Sequence, residues 1–277
     1  MRPSESEIPI RNDALLEWYG RMGRNLPWRQ TEDPWQILVS EVMLQQTQAS
    51  RVAEAYSRFL DRFPDPASAA RADAAEMLIA WSGLGYNNRA LRLREAARII
   101  EAAGWPTTAE TLRSLPGVGP YTAAAVACFA FGEQVPAVDT NLRRVLSRWV
   151  GRPLDGRDLA DVAANVLATG AAADWNQAVM DLGATLCRPR EPACRSCPVA
   201  SWCTRPDVYA APRTQGRFDG SIRQARGAVL RCLISHGHVH RSNLIESVPA
   251  VRVEDALKGL IRDGIVVEDA DCVTLVD

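Results

Sequence analysis

Four cysteines fall within seventeen residues, Cys187, Cys194, Cys197 and Cys203, with the spacing C-x6-C-x2-C-x5-C. Thiolates are soft ligands that select zinc or an iron–sulfur cluster, and the spacing by itself leaves both open. Prolines at 189, 192 and 198 interrupt the segment, so no continuous helix can run through it and something else must order it. Two acids stand out elsewhere. Asp139 heads a helix-like stretch, where a carboxylate ordinarily caps the first turn. Glu41 lies in the run Ser40-Glu41-Val42-Met43-Leu44-Gln45-Gln46-Thr47-Gln48. A third feature is the Gly-rich turn Pro116-Gly117-Val118-Gly119. Its exposed N–H groups, next to a helix start, are suited to an anion.

The elements that hold these groups are helical. Amphipathic or buried helical periodicity covers 13–22, 35–49, 50–62, 73–80, 88–103, 108–114, 120–131, 139–150, 158–168 and 174–186. Pro and Gly mark the joints, and no alternating strand pattern occurs before residue 264. The chain has 277 residues and a formal net charge of -1, so no global basic field announces a nucleic-acid partner. Seven cysteines do not suit a fully paired secreted scaffold. With no N-terminal apolar signal and no long uncharged apolar run, a reducing cytoplasmic setting with no membrane partner is expected.

The stretch LPGVGPYTA…VPAVDTNLRRVLSR followed by the four-cysteine loop resembles the helix-hairpin-helix DNA glycosylase superfamily, in its endonuclease III-like branch. The likeness covers about residues 10–210. SEVMLQQTQ, with Leu26-Pro27-Trp28-Arg29 before it, resembles the MutY-type adenine DNA glycosylases. This resemblance implies a mostly α, two-lobed fold with a four-Cys iron–sulfur loop. It implies a prokaryotic-type monomer that acts on double-stranded DNA containing a mispaired adenine, in the cytoplasm at the nucleoid. It implies a [4Fe–4S] cluster on Cys187, Cys194, Cys197 and Cys203, with zinc as the alternative.

The domains expected are 1–30, joining the cluster lobe; 31–140, a six-helix barrel-like lobe with the hairpin; 141–206, the cluster lobe; a 207–221 linker; and 222–277. The last has three helices and two short strands and resembles a winged helix, either a DNA- or protein-contacting appendage or a packing module. Only 56 residues make up this last segment, too few for the Nudix-like domain with which longer relatives recognise 8-oxoguanine.

The resemblance also assigns roles. Glu41 becomes the general acid and Asp139 the carboxylate that stabilises the sugar cation, with Tyr121 and Asn141 orienting them. Trp28 and Arg29 line the adenine pocket, and Gln177 reaches the base. Gln46 enters the duplex with Gln45 beside it, Tyr86 inserts near the mispair, and Gly117 and Gly119 grip a phosphate. Relatives with lyase activity carry a lysine where this chain has Tyr121, and its only lysine is Lys258. The activity expected is therefore monofunctional hydrolysis of the N-glycosidic bond of adenine opposite 8-oxoguanine or guanine. The alternatives are a mismatch thymine/uracil glycosylase of the same superfamily and a non-catalytic iron–sulfur DNA-binding protein.

Overall fold

The computed structural model describes residues 6–204, 208, 216–248 and 251–276, so most of the expected linker lies outside the described residues. The helices before that gap are α1 Glu7–Met22, α2 Pro34–Leu44, α3 Ala49–Arg62, α4 Pro66–Arg71, α5 Ala74–Ala80, α6 Asn88–Ala103, α7 Ala109–Leu112, α8 Pro120–Phe131, α9 Thr140–Val150, α10 Gly156–Val166 and α11 Ala172–Thr185. After it come α12 Ile222–His236, β1 His238–His240, α13 Arg241–Ser247, α14 Val253–Arg262, β2 Val266–Asp269 and β3 Cys272–Leu275.

The chain divides into two compact units. The first is Met1–Glu41, Pro106–Ser114 and Val118–Arg213; the second is Val42–Trp105, Leu115–Gly117 and Thr214–Asp277. This division differs from boundaries at 30 and 140. The reason lies in α8, whose residues Thr122 to Cys128 are buried in an unbroken run. A helix that is apolar all round must be covered on every side, and α8 packs on α7 and α11 of the first unit.

The core of the first unit is built from Leu142, Val145, Leu146 and Trp149 of α9 with Trp175, Val179 and Leu182 of α11. Leu15 of α1 joins them. Asn12 secures that N-terminal helix: its amide donates to the Val166 carbonyl at 2.9 Å and accepts from the Trp175 indole at 3.0 Å. Cys187, Cys197 and Cys203 pack, partly buried, on this same core.

In the second unit α6 packs along α4 and α5, and α12 packs on α14 and also touches α5. β1 pairs with β3, and β3 with β2, both antiparallel, giving the order β1-β3-β2. The strand β1 is a correction to the sequence reading. Its three residues, His238-Val239-His240, are too few to show a period, and only pairing with β3 makes them a strand. A second correction is α2, which stops at Leu44 instead of running to 49, for a reason that lies in Arg89 and is described below.

Buried Asn176 of α11 fixes the extended segment that leads to Asp139. It accepts from Ala137 N–H at 2.8 Å and donates to the Val135 carbonyl at 2.9 Å. Asn176→Ala is expected to leave both backbone groups unpaired and lower unfolding stability by about 2–3 kcal/mol, read from the urea midpoint at unchanged m-value.

Candidate active site

Glu41 sits near the C-terminal end of α2, only 4 % exposed. One carboxyl oxygen, Oε2, is shut off from solvent with no hydrogen-bond partner. The Tyr121 hydroxyl, at the start of α8, hydrogen-bonds to the carboxyl. Burial pushes Glu41 from 4.5 up to about 7; the nearby Asp139 charge adds to the rise, while the Tyr121 hydrogen bond and the Arg29 charge work against it. A carboxyl in that state holds a proton near neutrality and can give it away.

Asp139 is the N-cap of α9, accepting from Leu142 N–H at 2.7 Å through Oδ1. Its other oxygen accepts from the Asn141 amide at 2.6 Å. Burial raises its pKa above 3.8, opposed by the bonds from Leu142 and Asn141. The ordinary capping role and a chemical role are therefore compatible: capping engages one oxygen and aims the other. Two acids that feel each other's charge, one holding a proton up to about pH 7, form a proton donor beside a potential anion.

A buried ion pair stands next to them. Asp181 of α11 is fully buried and receives both nitrogens of the Arg29 fork, at 2.8 and 2.7 Å, together with Arg24 N–H and Nε at 2.7 Å. Burial alone would raise the Asp181 carboxyl, but the bonds from Arg29 and Arg24 outweigh it and hold its pKa below 3.8. Arg29 is thus locked by Asp181 and acts on Glu41 only through its charge. Trp28 shares a 3-10 turn with it, Pro27–Arg29, and is buried. Gln177 is half-buried and accepts a hydrogen bond from the Tyr19 hydroxyl.

From Asp139 a chain of hydrogen bonds leads to the cysteine loop. Asn141, which donates to Asp139, accepts from Arg144 Nη2 at 2.7 Å, and Arg144 Nε donates to the Cys187 carbonyl at 2.7 Å. Arg148, one turn further along the same face of α9, donates to the same carbonyl and lies 3.2 Å from Cys187 Sγ. All four loop cysteines are free of disulfides. Burial pushes the Cys197 thiol up to about 11, and the charges of Cys187, Cys203 and Cys194 add to the rise, so the four thiols share one locality. Among the described residues no three His, Cys, Asp or Glu side chains close around a single metal ion.

In the second unit the residues expected at the duplex have unusual backbones. Gln46 and Tyr86 both adopt positive φ, 58° and 47°, a conformation costly for non-glycine residues and held only where the surroundings over-determine it. Buried Arg89 supplies that constraint. Its guanidinium donates to the carbonyls of Val42, Met43 and Gln45 at 2.6–2.9 Å, to Thr47 Oγ1 at 3.1 Å, and to the carbonyls of Leu84 and Gly85 at 3.3 and 3.0 Å. It takes over carbonyls that the end of α2 leaves unpaired, which is why the helix stops there. Gln45 turns inward and donates to the Gly117 carbonyl at 3.2 Å. Gly117 has φ of 81°, and a Cβ there would meet Arg92 Cβ at 3.1 Å. Gly119 is instead the extended N-cap of α8, with open space where a side chain would project.

Arg24, Asp181, Arg89, Arg144 and Arg148 escaped sequence reading. For all but Arg24, which lies in the link after α1, the one available signal was their type: charged residues at core-facing positions of helices.

Residues 39–160 match the family described as HhH-GPD superfamily base excision DNA repair protein. The chain is 41 % identical, over 95 % of its length and 92 % of the relative's, to a protein named adenine DNA glycosylase from Mycobacterium tuberculosis. Its fold is similar to that of a thermostable thymine-DNA glycosylase, with a TM-score of 0.68 and 31 % identity over 72 % of this chain and 96 % of the other. A DNA complex of endonuclease III shares the fold at a TM-score of 0.64 and 22 % identity, over 73 % of this chain and 97 % of the other.

Asp181→Asn keeps the shape but removes the charge that two arginines surround. It is expected to cost about 3 kcal/mol of unfolding stability, measured by urea denaturation, and to move Glu41, whose counter-cation Arg29 would no longer be held.

Proposed function

Since the chain belongs to the HhH-GPD superfamily of base excision DNA repair proteins, and within it to the adenine DNA glycosylases, we propose that it hydrolyses the N-glycosidic bond of adenine mispaired with 8-oxoguanine or guanine in duplex DNA. The observation that carries the reading is the Glu41–Tyr121–Asp139 arrangement. Adenine is a poor leaving group unless protonated, and Glu41 is a buried carboxyl raised to about 7 with an oxygen to spare. A thymine or uracil leaves as a stabilised anion and has no need of such an acid. A binding module needs neither carboxylate.

In this mechanism the target nucleotide is extruded from the stack. Glu41 gives its proton to the purine, at N7. The C1′–N9 bond breaks with its electron pair going to adenine, and the sugar develops oxocarbenium character. Asp139, ionised, faces that positive charge and stabilises it. Water then adds at C1′ and loses its proton, leaving an abasic site and free adenine. With no lysine before Lys258, no Schiff base follows and the DNA strand stays intact. Trp28 and Gln177 contribute to the base pocket, with Arg29 supplying charge from its locked position. Gln46 and Tyr86 enter the space vacated in the duplex, and their αL backbones serve to present them. Gly117 and Gly119 bring N–H groups to a phosphate.

Cys187, Cys194, Cys197 and Cys203 fit a [4Fe–4S] cluster. Their donor set is four thiols, they share one locality, and a cation lies on one sulfur. When bound, such a cluster supplies structure: it closes a loop that carries Arg188, Arg190 and Arg195. The C-terminal segment reads as a winged-helix-like packing module. In it α12 packs on α14 and touches α5.

Three measurements test this. Glu41→Gln and Asp139→Asn are expected to bind mispaired duplex as the parent does while excision falls at least about 100-fold each. Adenine release should exceed thymine and uracil release on A:8-oxoguanine, A:G, T:G and U:G duplexes; the opposite order would favour the mismatch-pyrimidine reading. The excision rate should decline as pH rises through about 7, as Glu41 loses its proton. Because the Tyr121 hydrogen bond favours the charged form of Glu41, Tyr121→Phe should move that decline to higher pH.

A further inference from the structure

Arg11 carries a charge in a place where charge is costly, and nothing in the mechanism uses it. It lies on α1, 1 % exposed, with its guanidinium carbon 4.1 Å from the centre of the Trp149 ring. Nε and Nη2 are both closed to solvent and reach no hydrogen-bond acceptor. Stacking on an indole recovers part of the cost of desolvating a guanidinium, but it leaves the N–H groups of Nε and Nη2 unmet. A buried cation of this kind needs an anion nearby.

The surroundings name one candidate. Glu7, one turn earlier on α1, is exposed, whereas Cys203 lies against the stretch of α9 that carries Trp149, its Sγ 3.6 Å from the Arg148 carbonyl. Burial still dominates, lowering the Arg11 pKa to about 10. Trp149, on which Arg11 stacks, belongs to the core against which Cys187, Cys197 and Cys203 pack. Arg148, next to Trp149 on α9, lies 3.2 Å from Cys187 Sγ and also retains an unpartnered buried Nε. As unligated thiols these cysteines offer the two arginines no formal negative charge. As four thiolates on an iron–sulfur core they carry a net negative charge into a half-dry site, which then needs cations.

We propose that Arg11 is the internal counter-cation of the cluster, offsetting the negative charge concentrated near Cys203 and thereby setting the potential and the oxidative durability of the bound group. The proposal rests on the iron–sulfur reading of the four cysteines. It gives the N-terminal helix a purpose beyond packing: α1 delivers a fixed positive charge to a site formed some 190 residues later in the chain. A positive charge beside the cluster favours electron gain and opposes electron loss. Removing it should make the cluster harder to reduce and easier to oxidise.

The test compares the purified full chain with Arg11→Met, which keeps an apolar stem over Trp149, and with Arg11→Lys, which keeps the charge but loses the planar stack. Arg11→Gln serves as a second neutral variant if Arg11→Met does not accumulate. The readouts are iron and sulfide content, midpoint potential by protein-film voltammetry, and the rate at which absorbance near 400 nm bleaches in air. The neutral variants are expected to load iron but to show a more negative midpoint and several-fold faster bleaching, with Arg11→Lys close to the parent. Neutral variants that melt at lower temperature yet keep the parent potential and bleaching rate would overturn the proposal and leave Arg11 as packing for Trp149. The iron–sulfur reading is checked separately, on the parent alone. About four irons and matching sulfide per chain uphold it, whereas zinc or no metal overturns it before any variant is compared.

Discussion

Taking a guanidinium or a carboxylate out of water costs several kcal/mol unless partners inside the protein replace the lost hydration. The functional features of this chain follow from how that requirement is met. Asp181 meets it with Arg24 and Arg29, and Arg89 meets it with backbone carbonyls. Glu41 lies in a dry site with one oxygen unpartnered and answers by holding its proton. That last response turns a cost of burial into a source of acid.

The same economy couples parts of the protein distant in sequence. Arg144 satisfies its guanidinium with Asn141, the Gly183 carbonyl and the Cys187 carbonyl. One residue therefore sets the amide that orients Asp139 and the backbone of the first loop cysteine. In the second unit Arg89 draws together the end of α2 and the turn before α6. The backbones of Gln46 and Tyr86 are held in the left-handed region by that convergence. A flexible loop would relax such strain; a buried guanidinium with seven acceptors, the Tyr86 carbonyl among them, does not let it.

Much of the helical framework was legible in the sequence because helices leave a period that survives without tertiary context. The stretches read at 73–80, 88–103 and 120–131 correspond to α5, α6 and α8 within a residue of each end. What escaped is equally physical. α4 is six residues, too short to show a period. β1 exists only through its pairing with β3. The end of α2 depends on an arginine more than forty residues later, and the grouping of α8 with the cysteine-bearing unit depends on which helices cover it.

Sequence alone told which residues to examine: the spacing of the four cysteines marks a metal site, and the resemblance carried by SEVMLQQTQ, LPGVGPYTA and VDTN singles out Glu41, the Gly-rich turn and Asp139. Only the tertiary structure decided what state those residues are in. The elevated proton affinity of Glu41, the divided duties of the two Asp139 oxygens, the locking of Arg29 by Asp181 and the unmet charge of Arg11 are all consequences of burial. Burial is a property of the packed chain, set by contacts among residues as far apart as Asn12 and Trp175, and no local window of sequence contains it.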